Sequence, residues 1–460
     1  MWFALWLACA KQSNIETAEP TMLMETEQVF WQEHSEWSGE VSLPKEQVLG
    51  HTVHFAVVDG QLTATMDIPM QNAMGLPLSD VVMTNNSLRF ILKPPKAPKF
   101  AWAHYQFERV SDTEWKGTLT QAKQTFPADL KAGKAKPLVR PQTPTPPFPY
   151  STEDVVIPLT EEGSVLAGTV VIPREGFTKP EKGWPAVVFI TGSGAQDRDE
   201  TLFEHKPFAV IADHLARQGI ASIRMDDRGV GGSTGARSDL TTLDFASDIA
   251  QVVEFIGSDS DIDARKVGLI GHSEGGLIAG IVASEHPVAF VVSMAGTGVN
   301  GLNVLIEQNL DMMEVTDSVV RDQFRVDYTK VVQSDLNSDA ESEAVNAVLR
   351  LQASQSKQTL TPEFQEAGLK QFQDMKTNAW FQTFMTLDPS DYWSKVSAPV
   401  LILNGDKDVQ VSADINTKAI QDKIKHNSQT VLKHNRPTTY PLPMSVFLIQ
   451  IKFREHGTIM

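Results

Sequence analysis

One cysteine, Cys9, in 460 residues excludes a disulfide within the chain. Basic residues are also in deficit: 40 Lys and Arg stand against 57 Asp and Glu, a formal charge of −17. Such a chain repels phosphate backbones and anionic lipid surfaces at long range, and no basic cluster offers a local exception, so nucleic acid is not an expected partner. The eleven histidines are scattered, without an HExxH or CxxC spacing, so neither a metal nor another cofactor is expected. Long apolar runs are missing too. The N-terminal "MWFALWLACA" gives ten mostly apolar residues before Lys11, too few to span a bilayer but enough for the hydrophobic part of a secretion signal.

Within that stretch, "ALWLAC" resembles the lipobox of bacterial lipoproteins, in which a small residue precedes a cysteine that is cleaved and acylated. The resemblance implies a start further upstream, a lipid anchor at Cys9 and a place in the cell envelope or periplasm. Trp6 departs from the aliphatic residue of that pattern, and the other reading is a ragged apolar N-terminus on a cytoplasmic protein. Residues 1–25 are set aside as this signal-like segment.

What the sequence does contain divides in two. Over 26–135, "HTVHFAVVDGQLTATMDIPM" sets Asp-Gly between two β-rich runs, and "SLRFIL", "AHYQFERV" and "EWKGTLTQ" keep the period-two alternation. A small all-β barrel or sandwich is expected there. Over 136–150, "KPLVRPQTPTPPFPY" places six prolines in a stretch that neither helix nor central strand tolerates, which predicts an extended linker. From 151 to 460 the texture changes to short runs apolar throughout, "PAVVFITG", "IASIRMD", "KVGLIG", "VAFVVSMAG" and "PVLILNG", separated by amphipathic helices. That alternation predicts an α/β class with a doubly wound, mostly parallel sheet covered on both faces. Between about 299 and 393 only helical periodicity occurs, so a helical cap is expected between two strands, over the ligand crevice.

Gly271-His272-Ser273-Glu274-Gly275 follows the run "KVGLI" and opens a helical pattern. In that context G-x-S-x-G forms a sharp turn that lifts the serine out of the sheet, with glycines where side chains would strike backbone. Ser273 is therefore the candidate nucleophile, and the backbone N–H of Glu274, the residue after it, a candidate oxyanion donor. The Glu274 side chain could meet a substrate amine or serve structure.

With "ITGSGAQDRDE", "RMDDRGVGGSTG", "GHSEGG" and "APVLILNGDKDVQV" in this order, the chain resembles the α/β-hydrolase superfamily, in its bacterial esterase and serine-aminopeptidase-like branch, from Tyr150 to about Lys433. The resemblance implies an oriented base beside the serine, in the order serine, acid, histidine. The acid falls at the last position of the turn Gly405-Asp406-Lys407-Asp408, which selects Asp408, with Asp406 as the alternative. The second oxyanion amide falls at Ser193, with Gly194 beside it. The run Asp197 to Glu200 and the pair Asp226/Arg228 are read as ion-paired braces for these loops.

The base departs from the pattern. Relatives carry it after the last strand, often within Asn-His-Leu-Phe, whereas "SQTVLK" is followed by "HNRPTTYPLPMSVFLIQIKFREHGTIM", which makes 434–460 an atypical tail. Codons for Pro437-Thr438-Thr439-Tyr440, read from the third base of the first, can spell Asn-His-Leu, so a frameshift near Lys433 is expected to have replaced the native end. Of the histidines present, His434 lies nearest the required place; His426 and His456 are farther from it. The implied activity is a serine carboxylesterase acting on small to medium acyl esters through an acyl-enzyme. The alternatives are a peptidase of the aminopeptidase kind, or an impaired hydrolase-like binding protein.

Overall fold

The computed structural model describes residues 35–434, apart from 44–46, 59, 70–72, 94–101, 122–123, 134–139, 162, 203, 335–338, 356–359 and 425–428. The signal-like segment with Cys9, and the tail after His434, lie outside the described residues. Two compact units divide the chain near Arg140.

The first unit is a closed barrel of eight strands: β1 (Glu36–Leu43), β2 (Gln47–Val58), β3 (Gln61–Ile68), β4 (Ala73–Met83), β5 (Ser87–Leu92), β6 (Ala103–Ser111), β7 (Glu114–Gln121) and β8 (Gln124–Ala132). Neighbours in sequence pair antiparallel, with β2 and β3 meeting at Val58↔Gln61 around the Asp-Gly pair, and β1 closes on β8 at Val41↔Ala128. Alternation drives the closure. In β6, Ala103, Tyr105 and Phe107 are buried while His104, Gln106 and Glu108 face out, so the strand has one apolar face that must find an interior. Trp37, Trp115, Phe90 and Phe107 fill it, with the two indoles edge-on at 6.3 Å.

The second unit carries an eight-stranded sheet in the order β16-β15-β14-β13-β11-β12-β10-β9. The hairpin β9 (Tyr150–Pro158) and β10 (Val165–Pro173) forms an antiparallel edge. The other strands, β11 (Trp184–Ile190), β12 (Ala221–Met225), β13 (Ile262–His272), β14 (Val291–Met294), β15 (Val400–Gly405) and β16 (Gln429–His434), run parallel to one another. Their continuous apolar sequence reflects burial on both faces: Ala186, Val188 and Ile190 of β11 enter one core, while Val187 and Phe189 enter the opposite one. The helices Pro207–Ala216, Thr242–Ser258, Glu274–Glu285 and Ala413–Lys423 complete the layers. Between β14 and β15 the chain inserts six helices among the described residues, from Gly301–Met312 to Ser390–Trp393, with a core of their own around Leu310, Phe324, Val331 and Val345.

The strand order fixes where a site can form. From β11 the chain moves outward to β12, then returns to place β13 on the other side of β11, so the loops leaving β11 and β13 diverge and open a crevice at their carboxyl ends. Those two loops hold Gly192-Ser193 and Ser273.

Candidate active site

Ser273 stands between the end of β13 and the helix Glu274–Glu285, with φ 54° and ψ −121°. For a residue with a Cβ this backbone costs roughly 1–3 kcal/mol, so the surroundings must impose it. They do so through close packing on both sides. A Cβ on Gly271 would lie 2.0 Å from the Gly275 carbonyl oxygen, and one on Gly275 would lie 2.3 Å from that of Ile190. Only glycine at both positions lets the helix start this close to the sheet. The turn is pinned by Ser273 N–H donating to Met294 O at 2.9 Å and by Gly276 N–H donating to Ser273 O at 2.9 Å. The serine itself is half-buried.

Opposite lies the loop after β11. Gly192 runs so near that a Cβ there would sit 3.2 Å from Ser273 Cβ. Its N–H is already engaged, donating to Glu200 Oε1 at 2.8 Å. The amides of Ser193 and Gly194 have no acceptor among the described residues, nor does that of Glu274, the first residue of its helix. Free N–H groups therefore flank the serine from two elements.

The loop is held by the segment after β12. Asp227 accepts from Thr191 Oγ1 at 2.7 Å, from Gln196 N–H at 3.0 Å and from Arg237 Nη1 at 3.0 Å, while Arg237 Nη2 donates to Gly194 O. Asp226 and Arg228 do brace loops, but not by pairing with each other. Asp226 takes a two-pronged contact from Arg198, at 2.7 and 3.1 Å, and Arg228 binds Asp248 and Glu161. Each carboxylate answers the guanidinium its own loop meets, a choice made by packing and not by sequence spacing.

Burial pushes the Asp227 carboxyl up to about 6, against the pull of Arg237 and the hydrogen-bond donors. A carboxyl with a folded value above its unfolded one binds its proton more readily in the folded state, so this group erodes stability as pH rises from about 4 to about 6. Asp227→Asn should remove that contribution. Its urea midpoint is expected to gain on the parent's between about pH 4 and about pH 7, and a difference constant with pH would contradict this.

Asp408 and Asp406 part company in the turn after β15. Asp406 is exposed, whereas Asp408 is 8% exposed, with Oδ1 accepting from Gln410 N–H at 2.8 Å and Val411 N–H at 3.1 Å. Its Oδ2 has no partner among the described residues. Burial pushes the Asp408 carboxyl up, opposed by those two amides and by the charge of His272. His434 ends β16, in register with Gly405 at the end of β15, the strand that leads into the Asp408 turn.

The Glu274 carboxylate is committed to structure. Its Oε1 accepts from Thr242 Oγ1 at 2.6 Å and from Trp380 Nε1 at 2.7 Å, which ties the turn to the inserted helix Ala379–Thr386. Glu200, read from sequence as one member of a bracing run, is the member that reaches the turn, since His272 Nδ1 also donates to its Oε1 at 2.8 Å. No spacing rule could have flagged it, because the contact spans 72 residues and depends on a positive φ of 52° at Glu200. Among the described residues no group of three or more His, Cys, Asp or Glu side chains is arranged to hold a metal ion.

The profile of the alpha/beta hydrolase fold family matches residues 185–436, a span that includes Gly192, Ser193, Ser273, Asp408 and His434. The chain belongs to that family. This α/β hydrolase is 27% identical over 253 residues to Esterase EstD of Thermotoga maritima, across 54% of its own length and 51% of the relative's, so it spans about half of that protein. Among solved structures it is similar to the Pyrococcus furiosus esterase Pf2001 (TM-score 0.38, 15% identity, 62% of this chain and 85% of that one). A second is the proline iminopeptidase of Mycobacterium smegmatis (TM-score 0.39, 16% identity, 61% and 90%).

Proposed function

We propose that this α/β hydrolase cleaves carboxylic esters of small to medium acyl groups through an acyl-enzyme on Ser273. The observation that supports it is the strained turn that brings Ser273 to the crevice between β11 and β13, next to the loop of Gly192, while the Ser193 and Glu274 amides have no acceptor among the described residues. In this reading the Ser273 oxygen attacks the acyl carbonyl, and its proton passes to a histidine whose other ring nitrogen donates to Asp408 Oδ2. The carbonyl oxygen takes up negative charge between the two amides. Collapse expels the alcohol, which receives the proton from the imidazolium, and water repeats the sequence to release the acid. The histidine comes from the segment after Lys433, with His434 as candidate. Ester over amide follows from the esterase relative, an analogy of family.

A panel of short-chain aryl esters against aminoacyl and peptidyl anilides tests the substrate class. Turnover of the esters alone is expected. Preference for the anilides would move the reading to a peptidase, and failure of a fluorophosphonate to label Ser273 would leave a binding protein.

A further inference from the structure

The contact that the mechanism leaves unused is Glu200 with His272. A buried carboxylate beside an oxyanion hole works against catalysis, because negative charge develops within a few ångströms of it in a poorly screened setting. Here it is also costly to build: Glu200 is 7% exposed and holds a positive φ without being glycine. Yet one oxygen of this carboxylate accepts both the Gly192 N–H and the His272 Nδ1–H, each at 2.8 Å. The position a Cβ of Gly192 would occupy lies 3.2 Å from Glu200 Oε1, 3.2 Å from Ser273 Cβ and 3.4 Å from His272 Nδ1, so loop, carboxylate, imidazole and serine converge on one point.

We propose that Glu200 and His272 are positioning residues of the oxyanion hole: Glu200 fixes Gly192 so that the following amide faces Ser273, and the imidazolium of His272 cancels the charge that Glu200 would otherwise set against the developing oxyanion. This rests on the hydrolase reading above. The two ionisable groups that face the imidazole, Glu200 from the loop after β11 and Asp408 from the loop after β15, are both carboxylates. Burial alone would push the His272 imidazole down, but these two more than offset it and hold it above its ordinary value. Among the described residues the ring is held from one side, through the hydrogen bond of Nδ1 to Glu200 Oε1.

A merely structural ion pair and a charge-cancelling one differ in their pH behaviour. If the imidazolium offsets Glu200, ester turnover falls on an alkaline limb as His272 loses its proton and leaves a bare carboxylate at the hole. Glu200→Gln keeps an acceptor for Gly192 but has no charge to cancel. It should keep kcat within about tenfold of the parent and lose the alkaline limb, whereas Glu200→Ala should lower kcat roughly a hundredfold with KM little changed. In parallel, the His272 ring signal, assigned by its absence in His272→Asn, is followed by NMR titration in the parent and in Glu200→Gln. Its midpoint should fall in the variant.

Equal kcat and equal alkaline limbs in parent, Glu200→Gln and Glu200→Ala would overturn the proposal, as would an unmoved His272 midpoint. A parent that neither turns over esters nor takes a fluorophosphonate sinks the hydrolase reading instead. The NMR titration needs no turnover and still decides the pair. Thermal melts of the three proteins separate a kcat loss from a folding loss.

Discussion

Ser273→Ala is expected to abolish capture by a fluorophosphonate and to lower kcat/KM on a short-chain aryl ester by about four orders of magnitude or more. The size follows from what the variant loses. Removing the hydroxyl removes the covalent route, so the acyl group can leave only by direct attack of water. The Ser193 and Glu274 amides remain, and polarisation of a bound carbonyl by such donors alone sustains a residual rate about a thousandfold or more over water. The variant should fold as the parent does, because the turn is held by the Met294 carbonyl, by Gly276 N–H and by the two glycine contacts, none of which involves the hydroxyl. A labelled Ser273→Ala protein, or one with undiminished turnover, would place the chemistry elsewhere.

The same contacts show why the Ser273 turn was legible in the sequence and other parts were not. A strained turn with glycines on both flanks is local: Gly271 and Gly275 are required by backbone atoms within a few residues or on the adjacent strand, so the pattern survives as a short string. The parallel strands were equally legible, since burial on both faces writes itself as an unbroken apolar run. Barrel closure was not. Alternation in β1 to β8 announces antiparallel strands, but whether β1 meets β8 or stays an open edge is decided by twist and register across the whole unit. Long-range polar contacts were lost for the same reason. Asp226 and Arg228 stand two apart in sequence, yet each pairs with a residue brought in by another element, Arg198 from the loop after β11 and Asp248 from the helix Thr242–Ser258. Glu200 looked like one more acid in "DRDE", and only the fold shows its oxygen shared between Gly192 and His272.

The second large effect is expected at the acid. Asp408→Asn should lower kcat by about 10⁴ on the same ester, whereas Asp406→Asn should stay within about twofold. Burial separates the two carboxylates: Asp406 faces solvent, so it is screened and free to rotate, while Asp408 is anchored through Oδ1 by the Gln410 and Val411 amides. That anchoring leaves Oδ2 in a fixed direction as an acceptor. In the asparagine variant one oxygen can still satisfy the two amides, so the turn is retained, but an NH₂ now stands where the imidazole N–H needs an acceptor. The ring then takes the tautomer that cannot accept the serine proton. The loss should therefore fall on kcat and on the rate of fluorophosphonate capture, with the melting temperature little changed. A variant of His434 is the necessary partner measurement. If it matches Asp408→Asn, and the double variant is no worse than either single one, the two act on the same proton; additive losses would assign the base to a different histidine.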